Sequence, residues 1–138
     1  MDRLHAFLYF LEGLLPRVQD ARCGSALCAG IHSVAQHLRE IAPWFERADV
    51  YAQLLRIRLY ADWAGAAPLD EEAARFEAGQ LAQFQFTDGD PRIDGGYCFG
   101  RSPETWSPHI SPVPTAFALQ ALQLWQDRAA QPHRHLLI

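Results

Sequence analysis

Lysine and asparagine are absent from this sequence of 138 residues, and methionine occurs once, as Met1. The 12 basic residues are therefore all arginine, and 16 aspartate and glutamate residues bring the formal net charge to −4. This acidic balance argues against a protein that binds nucleic acid or an anionic membrane through a basic surface. Hydrophobic residues make up 49% and charged residues 20% of the chain, which excludes intrinsic disorder and is typical of one globular domain over residues 1–138.

Long apolar runs and paired cysteines are also missing. No segment reaches the length of about 18 apolar residues that can span a bilayer. The most apolar stretch, residues 4–15, is short, contains His5 and Glu12, and lacks the basic start and cleavage site of a signal peptide. Three cysteines are too few and odd in number for a disulfide framework. We therefore expect a cytoplasmic protein with reduced thiols and no membrane segment.

Hydrophobic periodicity predicts an all-α fold of five to six helices. We expect helices over residues 4–15, 25–41, 49–63 and 70–86, and a last helix that starts after Pro112 and Pro114 and runs to about residue 130, with Ser25 and Asp49 as N-caps. The helix at 25–41 has one apolar stripe, and the helix at 70–86 has a modest apolar face of Phe76, Leu81 and Phe84. The helices at 4–15 and 49–63 are apolar nearly all round, which is typical of buried helices. This alternation of inner and outer helices predicts helical hairpins of an α/α-toroid or a solenoid.

Each of the two inner helices carries one strip of polar and aromatic residues at helical spacing. The strips consist of His5, Tyr9 and Glu12 on the first helix, and of Asp49, Gln53, Arg56, Tyr60 and Trp63 on the other. Because the helices are otherwise apolar, we expect both strips to face a shared cavity. A carboxyl group in an apolar wall has a raised pKa, so Glu12 and His5 are candidates for general acid and base catalysis.

The alternative for these strips is purely structural. His5 and Glu12 can satisfy each other or cap neighbouring helix ends. Asp49 and Arg56 can form an ordinary pair on a helix surface, worth about 0.3–0.5 kcal/mol.

A segment without periodicity covers residues 87–113, and loops of this length in compact domains are usually functional. Its candidate site residues are Asp94, Tyr97, Arg101, Trp106 and His109. Gly95 and Gly96 give the backbone freedom for a tight approach. The alternative is that this turn only joins two layers of helices, and we favour that interpretation for Tyr97.

Metal ligation has one weak pattern, Cys23-x4-Cys28-x3-His32. Cys28 and His32 lie one helical turn apart, but a zinc site usually needs four ligands at established spacings. We therefore expect no metal and no cofactor. His133 and His135 are expected to belong to a solvated tail.

One segment resembles the end of a repeat in the α/α-toroid proteins, which include protein prenyltransferase β-subunits, terpenoid cyclases and six-hairpin carbohydrate enzymes. The matching residues are Gly95-Gly96-Tyr97, Gly100, residues 108–112 and residues 114–122. Residues 81–85, ahead of residues 94–97, resemble the Gln…Gly-aromatic repeat of the terpenoid cyclases. The Asp-x-Cys zinc motif of the prenyltransferases and the Asp-x-Asp-Asp motif of the cyclases are missing. The chain supplies about half the helices of a ring, so the resemblance implies a half or open ring, which is part of a longer chain or closes as a homo-oligomer.

The mixture of aromatic and polar residues favours a carbohydrate-active or carbohydrate-binding domain with a small-molecule or saccharide ligand, because glycosidases use two carboxylates and aromatic faces pack on sugar rings. The catalytic candidates are Glu12, Asp94, His5 and His109. The ligand-binding candidates are Tyr9, Asp49, Gln53, Arg56, Tyr97, Arg101 and Trp106. The alternatives are a prenyl- or terpenoid-handling protein and a non-catalytic helical interaction module.

Overall fold

The computed structural model describes residues 1–107 and 109–129. This part of the chain is mostly helical, which confirms the prediction of an all-α fold. Its elements are α1 (Asp2–Leu14), a 3-10 turn (Leu15–Arg17), α2 (Ala21–Ile41), β1 (Glu46–Arg47), α3 (Ala48–Trp63), α4 (Glu71–Ala82), β2 (Gly100–Arg101) and α5 (Pro112–Gln126). None of these helices is both long and apolar enough to cross a membrane. His133 and His135 lie outside the described residues.

Helix α3 is the centre of the fold. Every residue from Ala48 to Ala61 is buried, and α1, α2, α4 and α5 all pack against this helix. The prediction that the helix at 49–63 is surrounded by other helices is therefore confirmed. Its apolar side chains form much of the core, whereas its polar side chains have to find partners inside the protein.

Helix α1 is less buried than its apolar sequence predicts. Leu8 and Leu11 are fully buried, but Phe7, Tyr9 and Phe10 are 38%, 48% and 58% exposed. Helix α1 packs mainly against α2 and α3, so its opposite face is left open, where the rings of Phe7 and Phe10 stack at 5.8 Å. The prediction that α1 is buried nearly all round is wrong, because no described helix covers this face.

Polar side chains explain the observed helix starts. Helix α2 begins at Ala21 because Asp20, and not Ser25, is its N-cap and accepts a hydrogen bond from the Arg22 backbone N–H at 2.8 Å. Asp70 caps α4 in the same way, through the Ala73 N–H at 3.0 Å. Asp49 does not cap α3, since the helix already begins at Ala48 and the Asp49 side chain is used elsewhere.

Backbone pairing organises the long segment between α4 and α5. The Phe86 N–H donates to Gly96 O at 2.7 Å, and the Cys98 N–H donates to Phe84 O at 2.9 Å. This pairing takes residues 84–86 out of the predicted helix, so α4 ends at Ala82. Because the paired residues lie about a dozen positions apart in the chain, hydrophobic periodicity does not predict their pairing.

The glycine pair in this segment has the predicted role. Gly95 has a positive φ of 77°, and a Cβ at Gly96 would lie only 2.6 Å from Cγ2 of Ile110. The backbone N–H of Tyr97 then donates to Oγ1 of Thr115 at 3.0 Å, with the Tyr97 side chain buried. These contacts join the segment to α5 and support the structural interpretation of Tyr97.

Strands β1 and β2 pair antiparallel, with Glu46 opposite Arg101 and Arg47 opposite Gly100. This short ladder attaches the long segment to the start of α3. A Cβ at Gly100 would lie 2.6 Å from Glu46 O and 2.8 Å from Cζ of Phe45, so only glycine fits between them.

Gly100→Ala is expected to lower the free energy of unfolding by about 1–3 kcal/mol, because the added methyl group forces β1 and β2 apart. Gly79→Ala is the matched control. It lies in α4 with nothing within 4 Å of the added Cβ, so alanine should raise the free energy of unfolding by about 0.5–1 kcal/mol. Urea unfolding followed by circular dichroism measures both, and the same change in both variants would contradict the expectation.

Candidate functional site

Helices α1 and α3 run in the same direction, and their polar strips face each other. Three side-chain contacts join them in order along the chain: the ion pair of Asp2 with Arg47 at the start of α3, the approach of His5 to Asp49, and the ion pair of Glu12 with Arg56. We call this contact the α1–α3 seam; it comprises His5, Tyr9, Glu12, Asp49, Gln53 and Arg56. The structure therefore brings together the strip of α1 and the first three residues of the strip of α3.

Asp49 lies at one end of the seam and is only 2% exposed. Its carboxylate accepts hydrogen bonds from Nε of Arg47 at 3.0 Å and from Nη2 of Arg47 at 2.5 Å. Nδ1 of His5 lies 3.3 Å from the same carboxylate. This two-point guanidinium contact balances the buried negative charge.

Arg56 and Glu12 form the other end of the seam. Nη2 of Arg56 donates to Oε1 of Glu12 at 2.6 Å, and Arg56 is 4% exposed. The guanidinium also lies 5.1 Å from the ring centre of Phe117. Arg56 is therefore paired across the seam with Glu12, and Asp49 is paired with the nearby Arg47, so the two strips contain no Asp49–Arg56 pair within α3.

Gln53 lies between these two ends and is 1% exposed, yet neither its Oε1 nor its Nε2 has a hydrogen-bond partner. Nε of Arg56 and Nδ1 of His5 are also buried without a hydrogen-bond partner, whereas Gln53 lacks a partner at both polar atoms of its side chain. A buried polar group that lacks its hydrogen bond costs about 1–3 kcal/mol. Gln53 is thus the polar side chain of the seam that the protein's own contacts do not explain.

Tyr9 lies on the solvent-exposed side of the seam. Its ring meets His5 edge-on at 5.0 Å and Phe117 edge-on at 6.2 Å, and the residue is 48% exposed. The seam is therefore buried on the α3 side and bordered by an accessible aromatic ring on the α1 side.

Arg101 organises a second polar and aromatic site beside the β1–β2 ladder. Its Nε donates to Oε2 of Glu46, and its Nη1 and Nη2 donate to the side-chain oxygens of Gln83 and Gln80, both at 2.9 Å. Its guanidinium carbon lies 5.2 Å from the ring centre of Trp106.

Glu46 is held from two sides. One oxygen faces Arg101, and the other accepts a hydrogen bond from the Tyr51 hydroxyl at 2.5 Å. Burial, followed by this contact with Glu46, raises the pKa of Tyr51 above its ordinary value, so the hydroxyl stays protonated and continues to donate.

These side chains border an open cavity of about 510 Å³, which we call the Arg101 cavity. It is lined by Ala42, Pro43, Glu46, Arg101, Ser102, Pro103, Glu104, Thr105 and Trp106. Arg101 and Trp106 were predicted from the sequence, whereas Glu46 was missed. Its role depends on pairing with a strand more than fifty residues away, for which the sequence carries no local signal.

A third cluster, also missed, joins α3 to α4. Nε of Arg58 donates to both carboxylate oxygens of Glu77 at 2.8 Å, and both residues are buried. Burial raises the pKa of Glu77 to about 7, although Arg58 acts in the opposite direction.

The prediction that Phe76 lies on the buried face of α4 is wrong. Phe76 is 49% exposed, and Glu77 takes the inward position with Ala74, Ala78 and Leu81. The spacing of those three apolar residues could have indicated this.

The remaining predicted residues lie elsewhere. Asp94 is exposed, and its carboxylate accepts a hydrogen bond from the Asp88 N–H at 3.0 Å, which closes a turn. His109 is exposed, and its backbone carbonyl accepts from the Phe99 N–H at 2.9 Å. Glu12 pairs with Arg56 in the seam and Asp94 bonds within its own turn, so the two carboxylates of the proposed pair have separate partners.

Two residues of the cysteine and histidine pattern on α2 form hydrogen bonds within the protein. Nδ1 of His32 pairs with the Cys28 carbonyl oxygen at 3.1 Å, and the Cys28 thiol donates to Ala66 O at 3.2 Å. Across residues 1–107 and 109–129, no three His, Cys, Asp or Glu side chains are grouped closely enough to hold a metal ion.

Removal of Glu12 tests the ion pair of the seam. Glu12→Ala leaves the Arg56 guanidinium buried without a carboxylate, so we expect a loss of about 3 kcal/mol in the free energy of unfolding. Asp90→Ala is the control, since Asp90 pairs with the exposed Arg92 and should leave stability unchanged. Thermal and urea unfolding measure both variants. An equal loss of free energy of unfolding in the two would show that the Glu12–Arg56 pair does not stabilise the fold.

The raised pKa of Glu77 predicts a pH dependence. The folded chain binds this proton more tightly than the unfolded chain, so between pH 4.5 and about 7 the free energy of unfolding should fall as pH rises. Glu77→Gln should remove this part of the slope, and Glu72→Gln, an exposed residue of the same helix, should retain it. Urea unfolding at several pH values checks this; parallel curves for the wild type and Glu77→Gln would refute it.

The α1–α3 seam and the Arg101 cavity are thus the two places where predicted site residues meet. Comparisons of this chain with protein-family models, with curated proteins and with solved structures found no match.

Proposed function

We propose that this protein is a saccharide-binding domain and that the Arg101 cavity is its binding site. The observation that carries the proposal is an open cavity of about 510 Å³ that combines a half-exposed tryptophan with charged and hydroxyl side chains. An aromatic ring offers an apolar surface for the C–H face of a sugar, and ionised and hydroxyl groups bind sugar hydroxyls. Such a mixture is typical of small-molecule sites.

Charge favours a neutral ligand in this cavity. Its lining contains Glu46, Glu104 and a single cation, Arg101, which leaves one net negative charge. A diphosphate would need additional positive charge, so the cavity supports a saccharide better than a prenyl or terpenoid diphosphate.

The polar groups of the cavity are already oriented. Arg101 is held by Glu46, Gln80 and Gln83, and a backbone hydrogen bond of 2.8 Å from Ser102 N to Thr105 O closes the loop that carries Trp106. A preorganised site loses less conformational entropy when the ligand binds.

The same contacts favour binding over catalysis. Glycoside hydrolysis needs one carboxyl group that transfers a proton and another that attacks or activates water. Both oxygens of Glu46 are engaged, one by Tyr51 and one by Arg101, which suits the orientation of ligand hydroxyls. Three features stay predictions: the toroid-type ring, its closure as a homo-oligomer or as part of a longer chain, and the cytoplasmic location.

Removal of the Trp106 ring tests the proposal. We expect the wild-type protein to bind at least one of three neutral oligosaccharides, cellohexaose, xylohexaose or chitohexaose, and Trp106→Ala to bind it about tenfold more weakly, because the stacking surface is lost. Phe76→Ala is the matched control, since Phe76 is similarly exposed but lines a different cavity. Isothermal titration calorimetry measures all three proteins.

Two results would contradict the proposal. One is equal affinity of the wild type and Trp106→Ala for the bound oligosaccharide. The other is the absence of oligosaccharide binding together with binding of farnesyl diphosphate, which would favour the prenyl-handling alternative.

A further inference from the structure

Gln53 is a side chain that lacks partners within the protein. It is 1% exposed, and both polar atoms of its amide are unpaired, as is Nε of the neighbouring Arg56. A leucine of similar size at this position would make the same apolar contacts without any unsatisfied group. The amide therefore points to a hydrogen-bonding partner from outside the chain.

Such a partner would lie between two contacts of the seam. The pairs His5–Asp49 and Glu12–Arg56 are separated by seven residues on each helix, or about 10 Å along the axes. Gln53 lies between them on α3, and Tyr9 lies between them on α1. Tyr9 is 48% exposed and meets the rings of His5 and Phe117 edge-on, so a small molecule would enter the seam by rotation of this side chain.

The unpaired atoms indicate the chemistry of the ligand. Gln53 offers a donor and an acceptor side by side, and Nε of Arg56 offers a second donor. Each hydroxyl group both donates and accepts, so adjacent hydroxyls match this set. The two guanidinium groups at the seam are already balanced by the carboxylates of Asp2, Asp49 and Glu12, which disfavours an anion.

We propose that the α1–α3 seam is a second binding site, which takes one small neutral polyol at Gln53 and is covered by Tyr9. This site does not depend on the Arg101 cavity. Its ligand binds between the His5–Asp49 contact and the Glu12–Arg56 ion pair, with hydroxyl groups on the Gln53 amide and on Nε of Arg56. The Tyr9 ring closes over the apolar side of the ligand.

Nuclear magnetic resonance of the full chain tests the site with glycerol, erythritol and myo-inositol as probes. We expect at least one probe, at millimolar concentration, to shift the side-chain NH₂ signals of Gln53 and the backbone amide signals of α1. Gln53→Leu should weaken this binding about tenfold, since the amide is lost while its volume is kept. Gln36→Leu, an exposed glutamine on α2, and Trp106→Ala should each change the affinity by less than about twofold.

Several outcomes would overturn the proposal. They are the absence of a shift with all three probes, equal affinity in Gln53→Leu and the wild type, and a Gln53→Leu variant that is more stable while no polyol binds. The last result would show that the amide holds only water. If Gln53→Leu does not fold, Tyr9→Ala takes its place: loss of polyol binding in the folded variant supports the site, and unchanged binding refutes it. Persistence of binding in Trp106→Ala separates this site from the Arg101 cavity.

Discussion

Complete burial of α3 is the constraint on which the other features of this structure depend. The helix carries Asp49, Gln53, Arg56 and Arg58 into the interior, where an unpaired charge is far more costly than at the surface. Each ionised group therefore needs an opposite charge from a neighbouring element. Glu12 of α1 supplies it for Arg56, Glu77 of α4 supplies it for Arg58, and Arg47 of β1 supplies it for Asp49. Apolar burial brings the helices together, and these pairs select which faces meet.

The two residues of β1 connect this interior to the surface. Successive side chains of a strand point to opposite sides, so Glu46 faces Arg101 while Arg47 faces the seam. Both proposed sites are thus positioned by the β1–β2 ladder, which forms only because glycine at position 100 has no side chain. A disturbance of this ladder would move Glu46 and Arg47 together.

The parts predicted from the sequence are those that depend on a single helix. Helical spacing places His5, Tyr9 and Glu12 on one strip, and apolar neighbours on α3 require the opposite strip to be buried as well. The open face of α1 could not be predicted, because burial depends on which other helices are present. Glu46 and Glu77 were missed because their partners, Arg101 and Arg58, come from other elements of the fold. Helical spacing predicts which residues share a face, and contacts between elements determine which of these faces form a site.

Hydrogen-bond satisfaction distinguishes the three polar clusters. In the Arg58–Glu77 pair, both carboxylate oxygens are occupied by one guanidinium, which is what a purely structural contact requires. In the Arg101 cavity the charges are paired but border open space, so they are oriented before a ligand arrives. In the seam the charges are paired while the amide between them is not. Since a folded chain rarely leaves both ends of a buried amide unpaired, the incomplete pairing of Gln53 is stronger support for binding than the charges that surround it.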